Sequence, residues 1–396
     1  MHTTNDQVSL IGVTGRVFGR VNELIEKLLT GPYWQLKVLV YCLVLIVLTT
    51  TPFFNLQYFS AANSSWNTLL IQASDLLVPY KGVPGSHDAN KVFRLAVPVL
   101  IRLFNLTAMQ VFISQVVCGL LILRIMVKVS YSALADKAST VFFMTAFVTC
   151  YSGYSAFYDV FGRIDAFGYL FILLSVYWRS PVLVFLFCFL TAWSDERGLI
   201  NTLFTAVYWL YVGATNPRVS ISRFIIAVPP INRQVVAVLL SWAGYFCIRW
   251  LLSHYYGFQT QTAGVGASQF SISRQFIPLA IFSTYGLVWW LILVTLALII
   301  LRRDWLMIAL IGAGIIANLG VVMMIADINR SLAYSLPLLV ISLYQVGRGL
   351  PKAYVRKCLF ILSLLSMIVP IYDFDSKLHY HPTFIIRLAT LVAGVS

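Results

Sequence analysis

Ile277-Pro-Leu-Ala-Ile-Phe-Ser-Thr-Tyr-Gly-Leu-Val-Trp-Trp-Leu-Ile-Leu-Val-Thr-Leu-Ala-Leu-Ile-Ile-Leu301 contains no charged side chain. Wound as a helix rising about 1.5 Å per residue, it is long enough to cross a hydrocarbon layer about 30 Å thick. Arg302-Arg303-Asp304 interrupts it, and a second apolar run follows at 305–326. Two such runs joined by a short charged turn read as a transmembrane hairpin.

The rest of the chain repeats the pattern. Of 396 residues, 60% are apolar and 11% charged, against about 25% charged in soluble domains. Mean hydropathy is +0.84. This composition excludes a soluble enzyme, a disordered chain and a disulfide scaffold. Cys42, Cys118, Cys150, Cys188, Cys247 and Cys358 are scattered and form no CxxC pair, so they read as small apolar residues. Apolar runs predict spans near 37–54, 107–127, 139–157, 164–178, 181–194, 199–214, 235–252, 277–301, 305–326, 331–347 and 358–373. The expected fold is all-α, a polytopic transmembrane helical bundle of about eleven spans.

Residues 1–36 read as a cytoplasmic amphipathic segment. Val17, Val21, Leu24 and Leu28 recur at helical spacing among Arg16, Arg20 and Lys27, as in a helix lying on a membrane surface. Residues 37–396 read as one transmembrane catalytic domain, with long outer loops at 55–106 and 253–276.

The net charge of +14 suits membrane sidedness rather than nucleic acid, because no basic-aromatic stretch lies outside the apolar runs. With the N-terminus inside, Lys37, Arg124, Lys128, Lys137, Arg302, Arg303, Arg348, Lys352, Arg356 and Lys357 are cytoplasmic. Most acids then fall outside: Asp75, Asp88, Asp159, Asp165, Asp195, Glu196, Asp327, Asp373 and Asp375. Ionisable residues held against a membrane are costly and mark function.

The first outer loop predicts an interfacial helix with Trp66, Leu69, Leu70, Ala73 and Leu77 on one face and Asp75 opposite. Lys81-Gly-Val-Pro-Gly marks a turn, and His87, Lys91 and Arg94 share a face of a following helix beside Asp88. Three further turns place an arginine close behind an acid: Tyr158-Asp159-Val-Phe-Gly-Arg163-Ile-Asp165, Trp193-Ser-Asp195-Glu196-Arg197 and Ala326-Asp327-Ile-Asn329-Arg330-Ser331. Asp159 with Arg163, and Asp327 with Arg330, have the spacing to close across one helical turn. His379, His381, Asp373 and Asp375 read as a hydrated tail.

This layout resembles the GT-C superfamily of membrane glycosyltransferases, which use polyprenyl-phosphate sugars at the outer or lumenal face. The likeness rests on a long first outer loop with an interfacial helix and an acid, Asp75, and on a second acid, Asp159 or Asp165, in a later outer loop. Asp75 stands alone in Ser74-Asp75-Leu76, whereas the family's first-loop acid often sits in an acidic pair.

The resemblance implies sugar transfer from a polyprenyl-phosphate donor to a glycan, lipid or protein acceptor, with a lipid bilayer as the working medium. A carboxylate removes the acceptor's proton: Asp75 first, then Asp88 and Asp159. Substrate is held by His87, Lys91, Arg94, Arg163, Asp165, Asp195, Glu196, Arg197, Asp327 and Arg330, the cations facing phosphate. A divalent cation, Mg or Mn, is left open as a cofactor, and a single displacement inverts the anomeric centre. The compartment taken is the bacterial inner membrane, with the site on its periplasmic or outer face. The alternative reading is a transporter or flippase for a lipid-linked sugar or other anionic lipid.

Overall fold

The computed structural model describes residues 10–50, 59–60, 64–80, 91–212, 231–260, 270, 274–325, 327–375, 377–381 and 383–393. His87 and Asp88, two of the expected site residues, lie outside these, as do the turn expected at 81–85 and half of the loop expected at 253–276.

The body is helical. Four helices are long and apolar enough to cross a membrane by length and composition: Ala108–Leu134 (α5), Arg233–Tyr256 (α11), Ile277–Leu301 and Trp305–Met323 (α14). Shorter apolar helices fill out the bundle: Trp34–Thr50 (α2), Lys137–Val148 (α6), Asp165–Tyr177 (α8) and Pro181–Ser194 (α9). Glu196–Tyr211 (α10), Leu336–Gly349 (α16) and Lys352–Ser366 (α17) pack among them. Large apolar side chains face outward on several helices, including Val44, Leu239, Leu240, Phe246, Leu293 and Ile316. Such a surface suits lipid rather than water.

Several helix starts are chemically specified. Thr107 and Gln110 form a reciprocal capping box at the start of α5, and Asp136, Asp195, Asn232 and Asp304 cap α6, α10, α11 and α14. Each cap accepts from a backbone N–H that the helix itself leaves unpaired.

Three runs expected as continuous spans are broken. The 139–157 run divides into α6 and Tyr151–Tyr158 (α7). The 277–301 run divides into Ile277–Tyr285 (α12) and Trp289–Leu301 (α13), joined by one 3-10 turn at Gly286, whose φ is +51°. The 331–347 run divides into Ile328–Ala333 (α15) and α16. Uniform hydropathy hides such breaks because both halves are equally apolar.

The two ends of the bundle differ. At one end Leu10–Leu28 (α1) is amphipathic and is tied down by Arg356; Phe18, Val21 and Ile25 pack inward, whereas Val17, Leu24 and Leu28 are exposed. The Arg356 guanidinium donates to both carboxylate oxygens of Asp136 and to Glu26 at 3.1 Å. At the other end Ser64–Ser74 (α3) and Ala96–Phe104 (α4) pack together over the loops that carry the acids. Trp66, Leu69 and Ala73 are buried on the predicted face of α3. Trp66 donates its indole N–H to the Val160 carbonyl at 2.9 Å, and its ring lies against Gly162. Gly162 has φ +82°, and a Cβ there would come within 2.8 Å of the indole. Only glycine meets both demands.

The C-terminal region departs from the span expected at 358–373 and from the hydrated tail expected after it: α17 ends at Ser366 and strands follow. Ile371–Asp375 (β1) and Lys377–His381 (β2) form an antiparallel hairpin that pairs Asp373 with His379, and Phe384–Ala393 (α18) follows. The Tyr372 N–H donates to Ser283 Oγ, and Asn329 Nδ2 donates to the Tyr372 carbonyl. The hairpin is thus fastened to α12 and α15.

Candidate functional site: a buried arginine–carboxylate network

Among the described residues, three connections at the second end bring ionisable residues inward: α7–α8, α9–α10 and α14–α15. The α9–α10 turn has Asp195 as its shared cap, so the carboxylate points back at the first turn of α10. There it accepts from the Arg197 backbone N–H at 2.9 Å and from Arg197 Nε at 2.6 Å. Arg94, just before α4, reaches the same carboxylate, with Nη1 at 3.0 Å from Oδ2. Arg197 Nη1 continues to Ser331 Oγ at 3.0 Å, and its Nη2 lies 3.7 Å from Asp165 Oδ1.

Asp165, the first residue of α8, is held by Arg330. Arg330 Nε lies 2.5 Å from Oδ2, and Nη2 lies 3.1 Å from Oδ1. Arg330 Nη1 bonds Asp327 Oδ2 at 2.5 Å, which closes the i,i+3 pair expected from sequence. Glu196 adds an outer edge. Its Oε1 is 3.2 Å from Arg249 Nη1, and its Oε2 is 4.0 Å from Arg94 Nε. The network therefore joins Arg94, Asp165, Asp195, Glu196, Arg197, Arg249, Asp327 and Arg330, four cations with four acids.

Burial makes these charges interdependent. Asp165, Asp195, Arg197, Asp327 and Arg330 are all buried. Burial drives the Asp195 carboxyl upward, but Arg197 and then Arg94 more than offset it and hold it well below the usual range. Burial also works against the Arg330 cation, and Asp165 and Asp327 outweigh it, so the guanidinium stays charged. The second-neighbour helices add rigidity: Asn201 donates to Asn318 Oδ1 at 2.7 Å, locking α10 to α14.

Asp159 plays a different part. Its carboxylate accepts from the backbone N–H groups of Phe161, Arg163 and Ile164 at 3.1, 2.9 and 3.1 Å. It builds its own turn between α7 and α8 rather than pairing with Arg163 along a helix, which corrects the expectation of a closed i,i+4 pair. Burial raises its carboxyl above the usual value, Arg163 opposes this, and Asp165 adds to it. Both oxygens face backbone donors, a poor arrangement for accepting a substrate proton.

The remaining expected residues stand apart from the network. Asp75 is exposed at the end of α3 and accepts from the Leu77 N–H at 3.2 Å. Lys91 Nζ contacts Ser65 Oγ at 3.2 Å, which ties the residue to α3. Lys91 and Arg94 do not share a helix, because α4 begins only at Ala96 and the preceding residues form a turn. The Arg163 guanidinium lies 5.9 Å from the Phe161 ring centre.

Arg249 was not singled out from sequence. It sits within the apolar run of α11, where one arginine among Phe246, Cys247, Ile248, Trp250 and Leu251 is the available signal. The carboxylates of the network are each taken by guanidinium groups, a donor set that does not fit a divalent cation. Among the described residues no three His, Cys, Asp or Glu side chains form a metal-ligating group.

No protein-family model matches the chain, and no curated protein or solved structure matches it either.

Proposed function

We propose that the protein is a membrane glycosyltransferase that moves a sugar from a polyprenyl-phosphate donor to a glycan, lipid or protein acceptor. The N-terminus is taken to be cytoplasmic, the shorter apolar helices are counted as spans to make about eleven, and the network end faces outward. The observation that carries the reading is the gathering of Arg94, Arg197, Arg249 and Arg330 with four acids at one end of an apolar bundle. Structural salt bridges alone seldom justify this, since burying ions costs several kcal/mol each.

The chemistry asks for two things at such an end. The leaving phosphate needs cations to take its developing charge, and the acceptor hydroxyl needs a carboxylate. Arginine suits the first because its planar fork matches phosphate oxygens. A phosphate ester leaves as a weak base, so no general acid is required.

Purified protein in detergent, given radiolabelled polyprenyl-phosphate sugars and an acceptor-containing membrane extract, tests the reading. Product carrying the label, lost in Arg94→Met and Asp195→Asn, is the expected result. Labelled lipid crossing liposome membranes with no transfer in the wild type would replace this reading with a flippase.

A further inference from the structure

The network has one weak edge. Asp165 and Asp195 are each bound through both carboxylate oxygens, and Asp159 faces three backbone donors. Glu196 differs: one oxygen meets Arg249 at 3.2 Å and the other lies 4.0 Å from Arg94 Nε, while its side chain is 32% exposed. Arg249 is 26% exposed at its side chain. This pair is therefore the part of the network that an incoming anion can reach and open at least cost.

Arg249 is placed in advance. Its guanidinium sits 4.1 Å from the Phe93 ring centre, and Nη1 bonds the Tyr245 hydroxyl at 2.5 Å. Two orphaned donors lie beside it. Arg94 Nε is buried without a hydrogen-bond partner, and so is the indole N–H of Trp193, a residue only 5% exposed whose ring packs 5.0 Å from that of Tyr245. Buried donors without partners are uncommon and call for an occupant. Phe246 and Trp250, which flank Arg249 on α11, are 56% and 58% exposed, an apolar outer face on which a lipid tail can lie.

Resting on the sugar-transfer reading above, we propose that the phosphate of a polyprenyl-linked donor takes Arg249 from Glu196 and accepts from the unpartnered Arg94 Nε, and that the released Glu196 carboxylate is the general base. Asp75 and Asp159 then have no proton to take. In the step, the acceptor O–H proton passes to Glu196 while the acceptor oxygen bonds to the anomeric carbon. The bond from that carbon to the phosphate oxygen breaks, and its electron pair leaves with polyprenyl phosphate. Glu196 returns its proton to water, and Arg249 re-pairs with it once the phosphate departs. The base is thus uncovered only when donor is bound.

The experiment uses the full chain in detergent micelles and measures polyprenyl-phosphate binding and sugar transfer separately. Glu196→Gln is expected to bind polyprenyl phosphate as well as wild type or better and to lose turnover by about 100-fold or more. Arg249→Met is expected to weaken polyprenyl-phosphate binding at least tenfold, and inorganic phosphate at the same concentration is expected not to compete. All variants are checked for an unchanged melting temperature, and Arg249→Lys should recover part of the binding. Turnover retained in Glu196→Gln overturns the base, and binding unchanged in Arg249→Met overturns the phosphate site. Competition by inorganic phosphate alone overturns the lipid tail's share. A wild type that transfers no sugar sinks the glycosyltransferase reading, and the phosphate site is then judged on the binding arm.

Discussion

Arg330 and Asp165 meet edge to edge across 165 positions of chain, with Nε 2.5 Å from Oδ2 and Nη2 3.1 Å from Oδ1. This fork ties the start of α8 to α15 in a place where both groups are buried. It also orders the rest of the network, since the remaining Arg330 nitrogen holds Asp327 and the remaining face of Asp165 looks toward Arg197.

Removing that guanidinium strands two buried carboxylates. Arg330→Met should cost about 3–5 kcal/mol, the usual penalty for halving a buried ion pair. The triple change Arg330→Met, Asp165→Asn, Asp327→Asn should recover much of the loss. Thermal melts in detergent read both effects, and a single variant that melts with the wild type would show that the network does not support the fold.

Trp66 is 1% exposed and docks α3 by its ring and its indole N–H. Trp66→Ala should cost about 3–5 kcal/mol where the loss is felt, as for other buried tryptophans. Gly162→Ala should act in the same direction through its positive φ and the indole beneath it. Because α3 is also held by α4, through Arg102, and by Lys91, the expected outcome is faster proteolysis at 64–80 with a smaller change in the global melt. Equal protection in wild type and Trp66→Ala would show that α3 is held elsewhere.

Asp195 carries a pH prediction whose sign is fixed by its lowered carboxyl. In the unfolded chain this group takes up a proton near the ordinary aspartate value of about 3.9. The folded protein resists that protonation, so its contribution is fully present above about pH 5 and is lost as pH falls further. Wild-type stability should therefore drop between pH 5 and the acid limit, and Asp195→Asn should start lower and fall less steeply. Parallel acid limbs in melts across this range would contradict the assignment. Asp159, raised by burial, works the other way: its contribution is present at low pH and is lost as pH rises through its folded value.

Arg356 is 28% exposed and Glu26 56%, so their link is partly screened by water and is worth about 1 kcal/mol or less. Arg356→Ala should free α1 without unfolding the bundle. Trypsin cleavage at Lys27 is the readout, with faster release of the N-terminal fragment expected in the variant and, more weakly, in wild type at high salt. No change in cleavage rate would mean that the apolar side of α1 holds it alone.

Part of this site was legible from sequence and part was not. Asp327 and Arg330 close as their spacing implied, because both lie in one short helical turn. Asp159 and Arg163 do not, because Gly162 takes a positive φ and turns the chain out of helix. Asp75 had the position expected of a first-loop acid but lies exposed at the end of α3. Arg249 gave one faint signal, a cation inside an apolar run, and its partner Glu196 is 53 positions away.

The sequence by itself determined that the chain is built of apolar helices, that α1 is amphipathic, that α3 offers an apolar face through Trp66, Leu69 and Ala73, and that acids gather in short connections. Those features are local, set by hydropathy and by periodicity along a single helix. Only the tertiary structure decided which acid meets which arginine, where the apolar runs break, and that Glu196 alone among the network's acids keeps a third of its side chain in the open. Ion pairing in a buried place depends on distances between segments far apart in the chain, and those distances exist only once the helices have packed.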